Sequence, residues 1–120
     1  MVESMKNYVI KVDGDNIFLE ELEACPEGDP ELDVMREAVR TPGDKHAPHL
    51  ELVHLDQGEM YVDEDACFKD HLAPNMIATL LYWMTHGRGN QALLGNALLR
   101  LNDDMTTNDI ARLIQEYQEG

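Results

Sequence analysis

The stretch Met5-Lys6-Asn7-Tyr8-Val9-Ile10-Lys11-Val12-Asp13-Gly14-Asp15-Asn16 decides the fold. Tyr8, Ile10 and Val12 alternate with Asn7, Val9 and Lys11, and a period of two belongs to a strand with a buried face. Asp13-Gly14-Asp15-Asn16 then supplies turn chemistry, because Gly and Asn tolerate positive φ. Beyond the turn, Ile17-Phe18-Leu19 reads either as a second short strand or as the start of a helix through Leu22. Both readings stay open. A strand at the start makes the chain sheet-based, so the rest of it has to supply partner strands and helices that cover them.

Those elements are legible downstream. Asp29-Pro30 reads as an N-cap followed by a first helical residue, and Leu32, Met35 and Val39 follow at helical spacing, so a helix is predicted over 30–40. Residues 41–48, with Pro42, Gly43 and Pro48, read as loop. Leu50 to Leu55, the turn Asp56-Gln57-Gly58 and Met60-Tyr61-Val62 read as a hairpin. Pro74-Asn75 opens a helix carrying Met76, Ile77, Leu80, Leu81 and Met84, which Gly87 and Gly89 stop. Leu93 to Leu99 reads as an interior strand in which Gly95 marks a bulge or a close backbone approach. Thr106 with Asp109 has capping-box spacing, Met105 and Ile110 hold staple positions, and Ile110, Leu113, Ile114 and Tyr117 form the stripe of a last helix.

The expectation is one α+β domain over residues 1–120. A mainly antiparallel sheet, built from segments near 5–12, 50–55, 59–63 and 92–100, has about three helices packed against it. The predicted core comprises Ile10, Val12, Leu32, Met35, Leu52, Ile77, Leu80, Leu81, Leu94, Leu98, Ile110, Leu113 and Ile114. Trp83 belongs at the core rim, where its N–H can find a partner.

Several of these segments together resemble a functionally uncharacterised domain family carried by phages, plasmids and other mobile elements. Leu32-x-x-Met35-Arg36-Glu37-Ala38-Val39 looks like its first helix. Leu50-Glu51-Leu52-Val53 through Tyr61-Val62-Asp63-Glu64 looks like its hairpin, with an acidic V-[ND]-E step. Asn75-Met76-Ile77-Ala78-Thr79 resembles its N-x-x-A-T helix start, and Leu94-Gly95-Asn96-Ala97 its G-[NT]-A strand. The resemblance implies a fold and a mobile-element setting, and no mechanism. Stronger acidity and the loops at 41–48 and 86–91 set this chain apart from the pattern.

The formal charge is −15, with 24 Asp/Glu against 9 Lys/Arg, and nearly all of the excess falls in residues 1–70. Such a surface repels nucleic acid and anionic membranes and attracts basic proteins and cations. Phosphate binding needs clustered Lys and Arg, and here they are scattered. No apolar run approaches the roughly 20 residues that span a bilayer, and no basic start with an apolar core marks a signal peptide. Cys25 and Cys67 lie far apart and read as two buried or partly buried thiols of a reducing compartment. The expected setting is the cytoplasm of a bacterial host cell.

No catalytic motif stands out. Ser4 is the only serine, and no nucleophile elbow surrounds it. Asp13-x-Asp15-Asn16 begins like a calcium loop, but Ile17 and Phe18 occupy the next ligand and glycine positions. His46, His49 and His54 lack the further ligands of a closed zinc site. Cys67 with His71 has the spacing of a helical contact without a third, orienting group. Gly87-Arg88-Gly89-Asn90 lacks the Lys-[Ser/Thr] of a phosphate loop.

The preferred function is therefore protein binding without catalysis and without a cofactor or metal. The expected partner is a basic host protein, nucleic-acid-binding in its own right, met by rows of carboxylates standing in for phosphates, as in an anti-CRISPR or anti-restriction inhibitor. The candidate partner-binding residues are Asp13, Asp15, Glu20, Glu21, Glu23, Asp56, Glu59, Asp63, Glu64, Asp65 and Asp70. A second reading makes the acidic loop 63–71 a small-molecule, nucleotide or metal site, or the site of a small enzyme. A third is a homodimer formed through the 76–84 helix or the 93–99 strand edge.

Overall fold

The computed structural model describes residues 5–55, 58–89, 91–102 and 107–119. Strand β1 (Lys6–Asp13) turns through Gly14, at φ +59°, into β2 (Asn16–Glu21), which settles the open reading of residues 17–22 in favour of a strand. Helix α1 (Leu32–Val39) follows, then β3 (Leu50–Leu55), β4 (Gly58–Asp63), a 3₁₀ turn (Ala66–Phe68), α2 (Met76–His86), β5 (Ala97–Leu101) and α3 (Thr107–Glu119). The five strands form one sheet in the order β2-β1-β5-β4-β3, with every pairing antiparallel. This is the α+β architecture expected, and its radius of gyration of 13.5 Å is that of one domain of this length.

Two hairpins, β1–β2 and β3–β4, are joined only when β5 enters between them. All five β5 residues are buried, because helices cover both faces of the sheet. On one face Ile10, Met60, Ala97, Leu99 and Leu101 pack with Ile77 and Leu81 of α2 and Ile110 of α3. On the other, Val9 and Leu98 pack with Met35 and Val39 of α1, and Leu22 closes that cluster. The strand periodicity in β1 thus serves two cores, one for each parity of side chain.

Asn75 ties the layers together. Its Oδ1 accepts the Ala78 N–H at 3.0 Å and caps α2, while its Nδ2 donates to the carbonyls of Ile10 and Gly95 at 3.0 and 2.9 Å. Gly95, at φ +80°, brings its backbone against Leu72, the close approach expected there.

The structure corrects several boundaries and core positions. α1 starts at Leu32 with Glu31 at its N-cap and no side-chain cap, because the Asp29 carboxylate is drawn away to Arg100. The last strand starts at Ala97 and not near 92. Leu93 and Gly95 exchange backbone hydrogen bonds with Asn75 and Ala73, which takes residues 93–95 out of the sheet. Leu32 is 62% exposed and Leu52 42% exposed, so neither belongs to the core. Leu52 lies on the outer strand β3, on the sheet face opposite the α2 core, and Val53 is buried in its place. Val12, Leu80, Leu94, Leu113 and Ile114 are half-buried. Trp83 is half-buried as expected, but its buried Nε1 finds no hydrogen-bond partner among the described residues, and the Arg88 guanidinium stands 5.6 Å from its ring. Met105 and Thr106 lie outside the described residues. Cys25 is half-buried, whereas Cys67 is exposed; both are free thiols. Among the described residues no helix is long and apolar enough to cross a membrane.

Candidate functional site

An opening of about 1090 Å³ lies beside the β1–β2 hairpin, between it and α1. Its apolar lining includes Val9, Phe18, Leu22, Val34 and Ala38. Phe18 is 47% exposed, a large apolar ring left in solvent. The charged lining comes from three elements: Asp13 and Lys11 from β1, Glu20 and Glu21 from β2 with Glu23 just past it, and Glu37 with Arg40 from α1 and its C-cap.

Two carboxylates in this groove are paired. Lys11 Nζ meets Glu20 Oε2 at 2.8 Å, and Arg40 Nη1 meets Glu37 Oε1 at 3.1 Å. Both pairs are exposed on both sides, so solvent screens them and they exchange readily for other partners. Asp13, Glu21 and Glu23 are exposed and have no ion-pair partner among the described residues. The groove is therefore a negatively charged trough with an apolar floor.

Asp13, Glu20, Glu21 and Glu23, four of the candidate partner-binding residues, thus line one opening, and Asp15 is exposed at the hairpin tip. The remaining candidates lie elsewhere. Asp56 falls outside the described residues. Glu64, Asp65 and Asp70 are exposed around the 3₁₀ turn. Glu59 and Asp63 face inward and are engaged within the fold.

Glu59 belongs to a row across the sheet. Asn7, Arg100 and Glu59 lie side by side on β1, β5 and β4. Arg100 Nη1 donates to Glu59 Oε1 at 2.7 Å, its Nη2 to the Gly28 carbonyl at 3.0 Å and to the Asp29 carboxylate. Asn7 Nδ2 in turn donates to the carbonyls of Cys25 and Gly28. This network pins the 25–29 loop across the sheet. Burial acts against the Arg100 charge, but Asp29 and Glu59 outweigh it and push its pKa above the ordinary value. Burial and the Glu59 charge together raise the Tyr61 hydroxyl, which donates to Glu59 Oε1 at 3.2 Å.

Asp63 belongs to a second network. Lys69 Nζ bridges Asp63 Oδ2 at 2.5 Å and Asp44 Oδ1 at 2.9 Å, and His71 Nε2 lies 3.0 Å from that same Asp44 oxygen. Asp44 Oδ2 accepts from the Thr41 N–H and Oγ1. Burial alone would raise the Asp44 carboxyl. The hydrogen bonds from Lys69, Thr41 and His71 overcome it and hold the pKa at about 2. For Lys69, burial is likewise outweighed, and the two carboxylates raise its pKa. The network fastens loop 41–44 to the 65–71 segment. His71 therefore turns to Asp44, and the helical contact with Cys67 that their spacing allows does not form, since the 3₁₀ turn ends at Phe68. Among the described residues no group of three or more His, Cys, Asp or Glu is placed to hold a metal ion.

Reading the sequence did not single out Glu37, Arg40 or Phe18 as groove residues, nor Asp44 as a buried acid. Glu37 and Arg40 do carry a signal, an i, i+3 pair of opposite charge on the helix. Asp44 carries none, because Lys69 and His71 are distant in sequence. No family model, curated protein or solved structure matches this chain.

Proposed function

We propose that this chain is a protein-binding domain, without catalysis of its own, whose acidic groove engages a cationic surface of another protein. The observation that carries this reading is the convergence of Asp13 and Glu23 on one opening with no cation of their own, beside Glu20, whose pair with Lys11 is exposed on both sides. Carboxylates fixed along a trough offer a basic surface what phosphates would offer it, so the favoured partner is a nucleic-acid-binding protein. The net charge of −15 steers such a partner inward over a distance that salt shortens. The resemblance to a mobile-element domain fits a role as inhibitor of a host defence protein, with both molecules in the bacterial cytoplasm.

The test is capture from bacterial lysate by immobilised wild-type protein and by the D13N/E20Q/E23Q variant, in about 50 mM and about 500 mM salt. The expected result is a basic protein retained by the wild type at low salt, released at high salt and absent from the variant. Equal capture by both proteins would remove the groove from the explanation.

A further inference from the structure

The acidic groove is bordered by an open sheet edge. β2 is a terminal strand, paired with β1 on one side and with no strand on the other among the described residues. The phase of the β1–β2 ladder is set by the Leu22 N–H donating to the Asn7 carbonyl at 3.0 Å. Counting back by twos along the register, Glu20, Phe18 and Asn16 are the residues whose backbone groups turn to β1. Ile17, Leu19 and Glu21 consequently direct their N–H and C=O groups outward, along the free edge. The side chains of Phe18 and Glu20 stand on the groove face, opposite Lys11 and Val9.

We infer that the partner enters as an extended basic segment that adds a sixth strand beside β2. This inference rests on the groove reading above and names the form the partner takes. An unpaired edge supplies main-chain affinity, and the alternating side chains beside it supply selectivity. On the groove side, an apolar residue fits beside the half-exposed Phe18, and a Lys or Arg two positions along fits beside Glu20, with Glu23 close by. The same charges exclude a second copy of this chain. Each copy carries the −15 charge and brings Glu20 and Glu21 to the shared edge, so the two chains repel. Strand β3 forms the other outer edge of the sheet, but it does not line the groove.

The experiment uses the full chain and a short synthetic peptide in which every second residue is in turn Val and Lys, with Thr between them, its N-methylated form (methyl groups on alternate amides) and residue-resolved hydrogen exchange. The expected result is saturable binding in low salt, slowed exchange at the Ile17, Leu19 and Glu21 amides, and binding at least about tenfold weaker for the methylated peptide, since two or more main-chain hydrogen bonds are lost. Saturable binding that leaves those three amides unchanged, or equal binding of the methylated peptide, overturns strand addition while the acidic groove stands. Absence of saturable binding by either peptide also overturns strand addition, and the lysate capture above then decides the groove reading separately.

Discussion

Asn7 and Arg100 stand opposite one another on β1 and β5, and the Arg100 Nε–H donates to Asn7 Oδ1 at 3.1 Å. Asn7 is fully buried and Arg100 is 7% exposed, so a charge sits inside the sheet's second face. It is tolerated because every direction of the guanidinium meets an acceptor: Asn7, Glu59, Gly28 and Asp29. Removing the cation leaves the Asn7 oxygen, the Gly28 carbonyl and the Glu59 carboxylate short of a donor in partly buried positions, while the exposed Asp29 stays solvated. Arg100→Ala is expected to cost about 3 kcal/mol, read from urea unfolding. The double variant R100M/E59Q, which removes the stranded Glu59 charge as well, is expected to recover part of that loss.

The Asp44 network predicts acid sensitivity. The carboxyl titrates at about 2 in the fold against an ordinary 3.8, so it binds protons less readily folded than unfolded. Its contribution is therefore present above about pH 4 and is lost as pH falls towards 2, and the shift corresponds to about 2 kcal/mol. Unfolding free energy measured across that interval should fall with pH in the wild type. In Asp44→Asn the decline over the same interval should be shallower.

Asn75 performs three tasks with one side chain, capping α2 and holding Ile10 and Gly95. Replacing it by Ala removes the cap and leaves two buried carbonyls short of a donor. The expected loss is about 2–3 kcal/mol, measured by thermal unfolding. A smaller loss, under about 1 kcal/mol, would mean that the joint between α2 and the sheet is held by packing alone.

Leu98 and Leu32 separate burial from sequence pattern. Both occupy apolar periodic positions, yet Leu98 is fully buried in β5 and Leu32 is 62% exposed. Leu98→Ala is expected to cost about 3 kcal/mol and Leu32→Ala less than about 0.5 kcal/mol. Matched chemical denaturation of the two variants checks the contrast.

Gly58 opens β4 against Leu101 of β5, and a Cβ there would run into the backbone carbonyl of Arg100. Backbone cannot step aside as a side-chain tip can. Gly58→Ala is therefore expected to disturb the β4–β5 pairing, seen as faster amide exchange along both strands. The equally small change at Gly14, where added atoms meet open space, disturbs only the turn through its positive φ.

Much of the fold was legible because its signals are local. The alternation around Ile10, the glycine turn at Gly14, the 50–62 hairpin and the Asn75 start of α2 all depend on residues a few positions apart. Where reading failed, a distant residue intervened. Asp29 is a good cap by type, but Arg100 captures its carboxylate. Leu52 and Val53 alternate in β3, and the sequence pattern cannot say which parity meets α2. The 93–95 segment is apolar enough for a strand, yet its backbone pairs with residues 73–75. Of the candidate acids, Asp13, Glu20, Glu21 and Glu23 border one groove because the β1–β2 hairpin forms its wall. Glu59 and Asp63 were indistinguishable from them by composition and turned out to be engaged inside.

The sequence by itself determined the element types, the antiparallel hairpins and the surplus of negative charge, since periodicity, turn chemistry and composition act over short range. Only the tertiary structure decided that β5 enters between the two hairpins, which acids face solvent and which face a buried cation, and that β2 ends the sheet among the described residues. These depend on pairings between residues as far apart as Asn7 and Arg100. Their energy comes from desolvation and from backbone hydrogen bonds formed only once the chain has closed on itself, and no local pattern encodes it.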